Sequence, residues 1–213
     1  MAKNPWVQSA ACEAEVGDDE LADAVARATP ARPDLAPQSA SVTPPRSGDC
    51  FPRRVADTPA GPATMWWMGV HGGAGESTLE QLLEGSRAAG HAWPIAEDDA
   101  LPPPRVMLVA RTTARGLQAA QLAAREWASG TVPVDLVGLV LIADAPGRLP
   151  KPLRDLAQVV VGGVPRSWRL PWVEPWRLGE SVSETTAPKT VTQLLDELRA
   201  SYVDEAPASP PNS

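Results

Sequence analysis

Residues 65–83 read MWWMGVHGGAGESTLEQLL, and the fold turns on this stretch. An apolar run at 65–70 is followed by Gly72, Gly73 and Gly75, then by Leu79, Leu82 and Leu83 at helical spacing. The order predicts a strand, a tight loop, and a helix over 76–89 stopped by Gly90. The glycines permit positive φ and close approach of the backbone to an anion, whose charge the N–H groups of a helix start favour. Ser77 and Thr78 lie near that helix start, where short hydroxylated side chains are preferred.

Outward from this stretch, strands and helices alternate. RVMLVAR, 105–111, is a continuous apolar run of the kind found in buried parallel strands. Thr112 and Thr113 offer an N-cap for a helix running to about 129, with Leu117, Ala120, Ala124 and Trp127 on one face. VDLVGLVLIA, 134–143, is the strongest strand signal. A helix over about 152–160 follows, its proline suited to the first turn, and 167–170 reads as the last strand. HAWPIAEDDALPPP, 91–104, reads as loop. The pattern predicts an α/β fold, a small, mostly parallel sheet with flanking helices in three layers. Near the C-terminus, Thr190 and Gln193 match a capping box, and Val191, Leu194, Leu195, Leu198 and Tyr202 share one helix face.

Residues 1–62 are rich in Ala, Pro, Ser and charge, with few large aliphatics, and are expected to be disordered apart from a weak helix over 18–28. The α/β domain is expected over 63–180, a linker and amphipathic helix over 181–203, and a disordered tail over 204–213. The net charge of −7 is uneven: residues 1–64 carry 6 basic and 9 acidic side chains, residues 65–180 carry 11 and 12, and residues 181–213 carry 2 and 5. A domain without positive surplus is a poor binder of nucleic acid, where affinity comes largely from phosphate neutralisation. Cys12 and Cys50 both lie in the N-terminal extension, outside any metal-ligand spacing. No apolar run is long enough to span a bilayer, and residues 1–20 lack the apolar core of a signal peptide, so the default setting is cytoplasmic.

HGGAGEST, 71–78, resembles the GGxGKS/T loop of the ParA/MinD class of P-loop ATPases. That resemblance implies a shortened P-loop NTPase-like three-layer sandwich. It places Gly72, Gly73, Gly75, Glu76, Ser77 and Thr78 at nucleotide-binding positions, with Ser77 where magnesium would be held. Both lysines of the family are missing: His71 stands at the signature lysine and Glu76 at the phosphate-binding one. At about 4 Å and an effective dielectric near 20, one charge pair is worth on the order of 4 kcal/mol. Replacing the lysine by a glutamate exchanges that attraction for a similar repulsion. Glu76 has a structural explanation instead, since the first turn of a helix favours negative charge. His71 reads as a hydrogen-bonding turn residue.

The family's magnesium acid would fall between Gly90 and Arg105, where only Glu97, Asp98 and Asp99 are available; Asp144 then takes the base-reading position. A rival alignment makes Asp144 the magnesium acid. VPRSWRLPWVEPWRLG, 164–179, resembles the family's closing segment, with Trp168, Trp172 and Trp176 interleaved by Arg166, Arg169 and Arg177. Pro171 and Pro175 argue against a regular helix there. Tryptophan and arginine together suit core cover, a protein interface or a stacking platform. Arg148, Lys151 and Arg154 form a modest basic cluster. Over 66–180 the chain also resembles a family of small uncharacterised actinobacterial proteins from plasmid-like and conjugative elements, through GVHGGAGEST, LIADAPGRLPKPLRDLA and RLPWVEPWRLG.

These readings together predict a non-catalytic, pseudo-ATPase module that binds a protein partner in element transfer or maintenance, through Arg169, Trp172, Trp176 and Arg177. The terminal helix would be a second docking element. No metal or cofactor is expected. The alternative is a weak nucleotide-binding switch taking Mg-ATP at the loop.

Overall fold

The computed structural model describes residues 36–38, 41–56, 63–98, 101–183 and 185–200. Within them a five-stranded, all-parallel sheet forms from β2 (Met65–Gly69), β3 (Ser86–Ala88), β5 (Arg105–Arg111), β6 (Asp135–Ile142) and β7 (Ser167–Leu170). Its spatial order is β3-β2-β5-β6-β7. A separate parallel pair joins β1 (Arg53–Val55) to β4 (Trp93–Ile95). The helices are α1 (Glu76–Glu80), α2 (Ala114–Ala128), α3 (Lys151–Val161), α4 (Glu174–Arg177) and α5 (Lys189–Leu198).

Alternation along the strands sorts the core onto two faces. Val106, Leu108 and Ala110 of β5 point to one face and pack with Leu117, Ala120 and Trp127 of α2 and Ala157 and Val160 of α3. Met107 and Val109 point to the other, packing with Leu79 of α1 and with Val191, Leu194, Leu195 and Leu198 of α5. The fold is therefore an α/β three-layer sandwich, as the alternation of strands and helices predicts. One register shift interrupts it: Val106 pairs with Leu136, but Met107 pairs with Gly138. The extra residue keeps Leu139 and Leu141 on the α2 face and Val140 and Ile142 on the α1 face.

Four local expectations are corrected. The helix expected over 76–89 ends at Glu80, and Ser86–Ala88 becomes β3, paired with Met65, Trp66 and Trp67. Leu79, Leu82 and Leu83 are all buried, so helical spacing was satisfied by one helical turn and the turn after it. Gly85, at φ 79, redirects the chain. Its carbonyl accepts from Thr64, and the Ser86 hydroxyl donates to Leu83 O at 2.6 Å while accepting from Trp67 Nε1 at 2.9 Å. Within 91–104, read as loop, lies β4, and its partner β1 falls inside the stretch expected to be disordered. Pro175 sits in the first turn of α4, so the proline-flanked segment accommodates a single helical turn. The capping box at Thr190 does not form: the cap of α5 is Pro188, which makes no side-chain bond.

Other expectations hold. Thr113 caps α2 by accepting from Gly116 N at 2.9 Å, and Gly130, at φ 72, follows its end. The expected helix at 18–28, Cys12, Asp99, Tyr202 and the tail lie outside the described residues. Among the described residues no helix is long and apolar enough to cross a membrane.

Candidate functional site

The glycine loop follows the C-terminal end of β2, and its geometry is set from below. β3 ends at Ala88, which leaves the last peptide groups of β2 without a strand on that side. Two side chains complete the ladder. Gly69 N–H donates to Glu76 Oε2 at 2.7 Å, and Gly69 O accepts from His91 Nδ1 at 2.7 Å. The same nitrogen lies 3.5 Å from Glu76 Oε1. Glu76 is thus buried, turned back beneath the loop rather than out over it. His91 reaches this position from a left-handed backbone, φ 61. A Cβ on Gly69 would stand 3.0 Å from Glu76 Oε2 and 3.1 Å from His91 Nδ1, so only glycine fits between the two side chains without displacing them.

His71 fixes the loop from the opposite side. Arg111 N–H, at the end of β5, donates to His71 Nε2 at 2.9 Å; the ring proton therefore sits on Nδ1, 3.0 Å from Gly72 O. The start of α2 presses against the same ring: a Cβ on Gly116 would come within 2.8 Å of His71 Nε2 and 2.3 Å of Arg111 O. His71 is a turn residue held by backbone, as read from the sequence.

Arg111 is the residue that sequence reading missed. Its Nε donates to Gly73 O at 3.3 Å and its Nη1 to Ala143 O at 3.0 Å, tying the loop after β2 to the loop after β6. Burial pushes this guanidinium below its ordinary range; Asp144 pulls it back up, and Arg177 pushes it down again. Arg111 also lines an open cleft of about 120 Å³. Gly75, Thr78 and Ile142 line it as well, together with Trp172, Trp176 and Arg177. Gly75, at φ 111, holds a backbone conformation that strains any L side chain, and a Cβ there would stand 2.8 Å from Ile142 Cδ1, which would have to shift.

The cleft joins two sets of residues that are about a hundred positions apart in sequence. Gly75 and Thr78 of the expected nucleotide loop meet Trp172, Trp176 and Arg177 of the expected partner surface. Gly72, Gly73 and Ser77 are exposed but do not line the cleft. Arg169 lies on β7 outside it. Trp168 is core, its Nε1 donating to Glu197 Oε2 of α5 at 2.8 Å. Trp172 Nε1 donates to Glu174 Oε2, and Trp176 Nε1 is buried without an acceptor among the described residues.

Asp144 is exposed at the end of β6, its N–H donating to Thr112 Oγ1 at 3.2 Å. β5 separates β6 from β2, so Asp144 stands two strands from the glycine loop's own strand. Glu97 and Asp98 are exposed and follow β4, outside the five-stranded sheet. Among the described residues no group of three or more His, Cys, Asp or Glu side chains is placed to hold a metal ion.

The expected second docking element is absorbed by the fold. Val191, Leu194, Leu195 and Leu198 of α5 are buried in the core beside α1. The signal that would have found Arg111 is its position: a charged residue closing an apolar strand is at the sheet's C-terminal edge, where open α/β sheets carry their crevices.

Fold and cleft together define a parallel, three-layer α/β protein with a glycine loop braced from below and an arginine-lined cleft beside it. Over residues 63–195 the chain matches the model of a family of unknown function, DUF6668, and it belongs to that family. No curated protein and no solved structure matches the chain.

Proposed function

We propose that this chain is a non-catalytic, P-loop-like module of the ParA/MinD type that binds a protein partner in the cytoplasm. By the resemblance of its sequence to actinobacterial proteins of mobile elements, the partner belongs to plasmid or conjugative transfer or maintenance. The observation that carries the reading is the Glu76 carboxylate, buried beneath the loop and committed to Gly69 N–H at 2.7 Å. A carboxylate spent on the strand end is a structural part, and the lysine that would grip a phosphate has no counterpart at that position. The recognition surface is then the cleft side, where Trp172, Trp176 and Arg177 are gathered. Tryptophan and arginine are the residue types most enriched at the energetic centres of interfaces.

A second reading, weak nucleotide binding at the loop, is favoured by one observation: Gly73 and Gly75 keep positive φ, at 73° and 111°. Thermal unfolding with millimolar Mg-ATP or Mg-GTP separates the two, because a ligand of the folded state alone raises the midpoint. An unmoved midpoint is the expected result; a magnesium-dependent rise would replace the first reading by the second.

A further inference from the structure

We infer that the cleft between Arg111 and Arg177 binds a single oxyanion group, a phosphate or a carboxylate. The inference names the chemistry of the cleft and rests on the reading that this cleft, not the loop backbone, is the recognition surface. Its basis is two guanidinium groups converging on one space. Arg111 is half-buried in the lining, where burial lowers its pKa, Asp144 raises it and Arg177, a like charge, lowers it again. The side chain of Arg177, which lines the same cleft, has no ion pair among the described residues. Glu174, one turn earlier, accepts from Trp172.

The cleft lining holds these two cations and no carboxylate; Asp144, outside the lining, offsets part of the charge on Arg111, and an anion placed in the cleft offsets the rest. Guanidinium groups present forked N–H donors matched to carboxylate and phosphate oxygens. Arg111 commits Nε and one Nη1 hydrogen to Gly73 and Ala143, so its remaining N–H groups are available. Thr78, whose side chain carries a hydroxyl, lines the same cleft with Trp172 and Trp176. Size restricts the ligand. Sites for drug-sized molecules run to about 300–1,000 Å³, whereas this cleft holds about 120 Å³. One charged group with little bulk fills it.

The test is thermal unfolding of the full chain with sodium phosphate, sodium acetate and sodium chloride at matched ionic strength. Arg177→Gln is compared in parallel; Arg177 is exposed, whereas Arg111 also holds two loops, so its replacement confuses binding with folding. A saturable rise with phosphate or with acetate beyond chloride is expected, and the responding salt identifies the source of the oxyanion. Arg177→Gln should weaken that response on the order of tenfold or more, with Arg177→Lys between. No rise beyond chloride with either salt, or a rise that Arg177→Gln leaves unchanged, overturns the inference. A magnesium-dependent response to Mg-ATP that Arg177→Gln does not touch counts against the non-catalytic reading alone, since the phosphate and acetate arms are read without nucleotide.

Discussion

The Glu76 carboxylate accepts the backbone N–H of Gly69 at 2.7 Å, closing a ring across the glycine loop from its helix back to its strand. The bond substitutes for a strand neighbour that β3, ending at Ala88, does not provide. Glu76→Ala removes the acceptor of a buried N–H and is expected to cost about 1–3 kcal/mol of stability in urea unfolding. Glu76→Gln, which keeps an acceptor oxygen, should lose less. Glu76→Lys should be at least as destabilising as alanine, so a nucleotide test on that variant must be read beside its stability.

His91 is held to the same strand end from a left-handed backbone. Asparagine tolerates that conformation and keeps an N–H donor; a β-branched residue does neither. His91→Asn is expected to stay close to the parent in midpoint, while His91→Val falls by about 1–3 kcal/mol. Equal stabilities for the two variants would contradict the arrangement.

The bulge in β6 makes Gly138 irreplaceable on steric grounds. A Cβ there would lie 2.5 Å from Arg166 O and 2.8 Å from Trp168 Cζ3. Gly138→Ala should therefore push β7 away and cost about 1–3 kcal/mol, the range for overpacking. Near-ultraviolet circular dichroism of the tryptophan environment should change with it.

Leu195 is fully buried on α5, within the core layer that holds Leu79 and Met107. Leu195→Ala is expected to cost about 2–5 kcal/mol, the range for an unrelieved cavity. A near-neutral result would return α5 to the role of a detachable docking helix.

Burial raises the Cys50 thiol above its ordinary range, and the Glu126 carboxylate raises it further. The thiolate is the reactive form, so a raised value means slower alkylation near pH 8 and a rate still climbing where an ordinary thiol has levelled off. In a Cys12→Ser background, Glu126→Gln should speed alkylation of Cys50 and move the profile toward lower pH.

The central sheet was legible because buried parallel strands are apolar for their whole length, and β5 and β6 are such runs. α2 was legible through its apolar stripe and its threonine cap. β3 was not: SRA carries no strand signature, and it pairs only because β2 offers an open edge. The leucines before it obeyed helical spacing while serving one turn of helix and a bend. The cleft was half legible. Loop glycines and tryptophans each drew attention, but that Gly75, Trp172 and Trp176 line one cleft with Arg111 is a property of strand order, which a linear pattern does not encode.

Before the matched family region begins at residue 63, the chain runs as a strap across the end of α2. Gln38 N–H donates to Ala128 O, Phe51 N–H to the fully buried Glu126, and Arg53 to Thr131 O, after which β1 lies along β4. Composition alone marks this part as disordered. A version of the protein trimmed to the family region would instead strand a carboxylate inside the domain with its N–H partner gone and bare one side of β4. Such a trimmed chain should express as aggregates or melt early, an outcome that would place the start of the working unit upstream of the matched region.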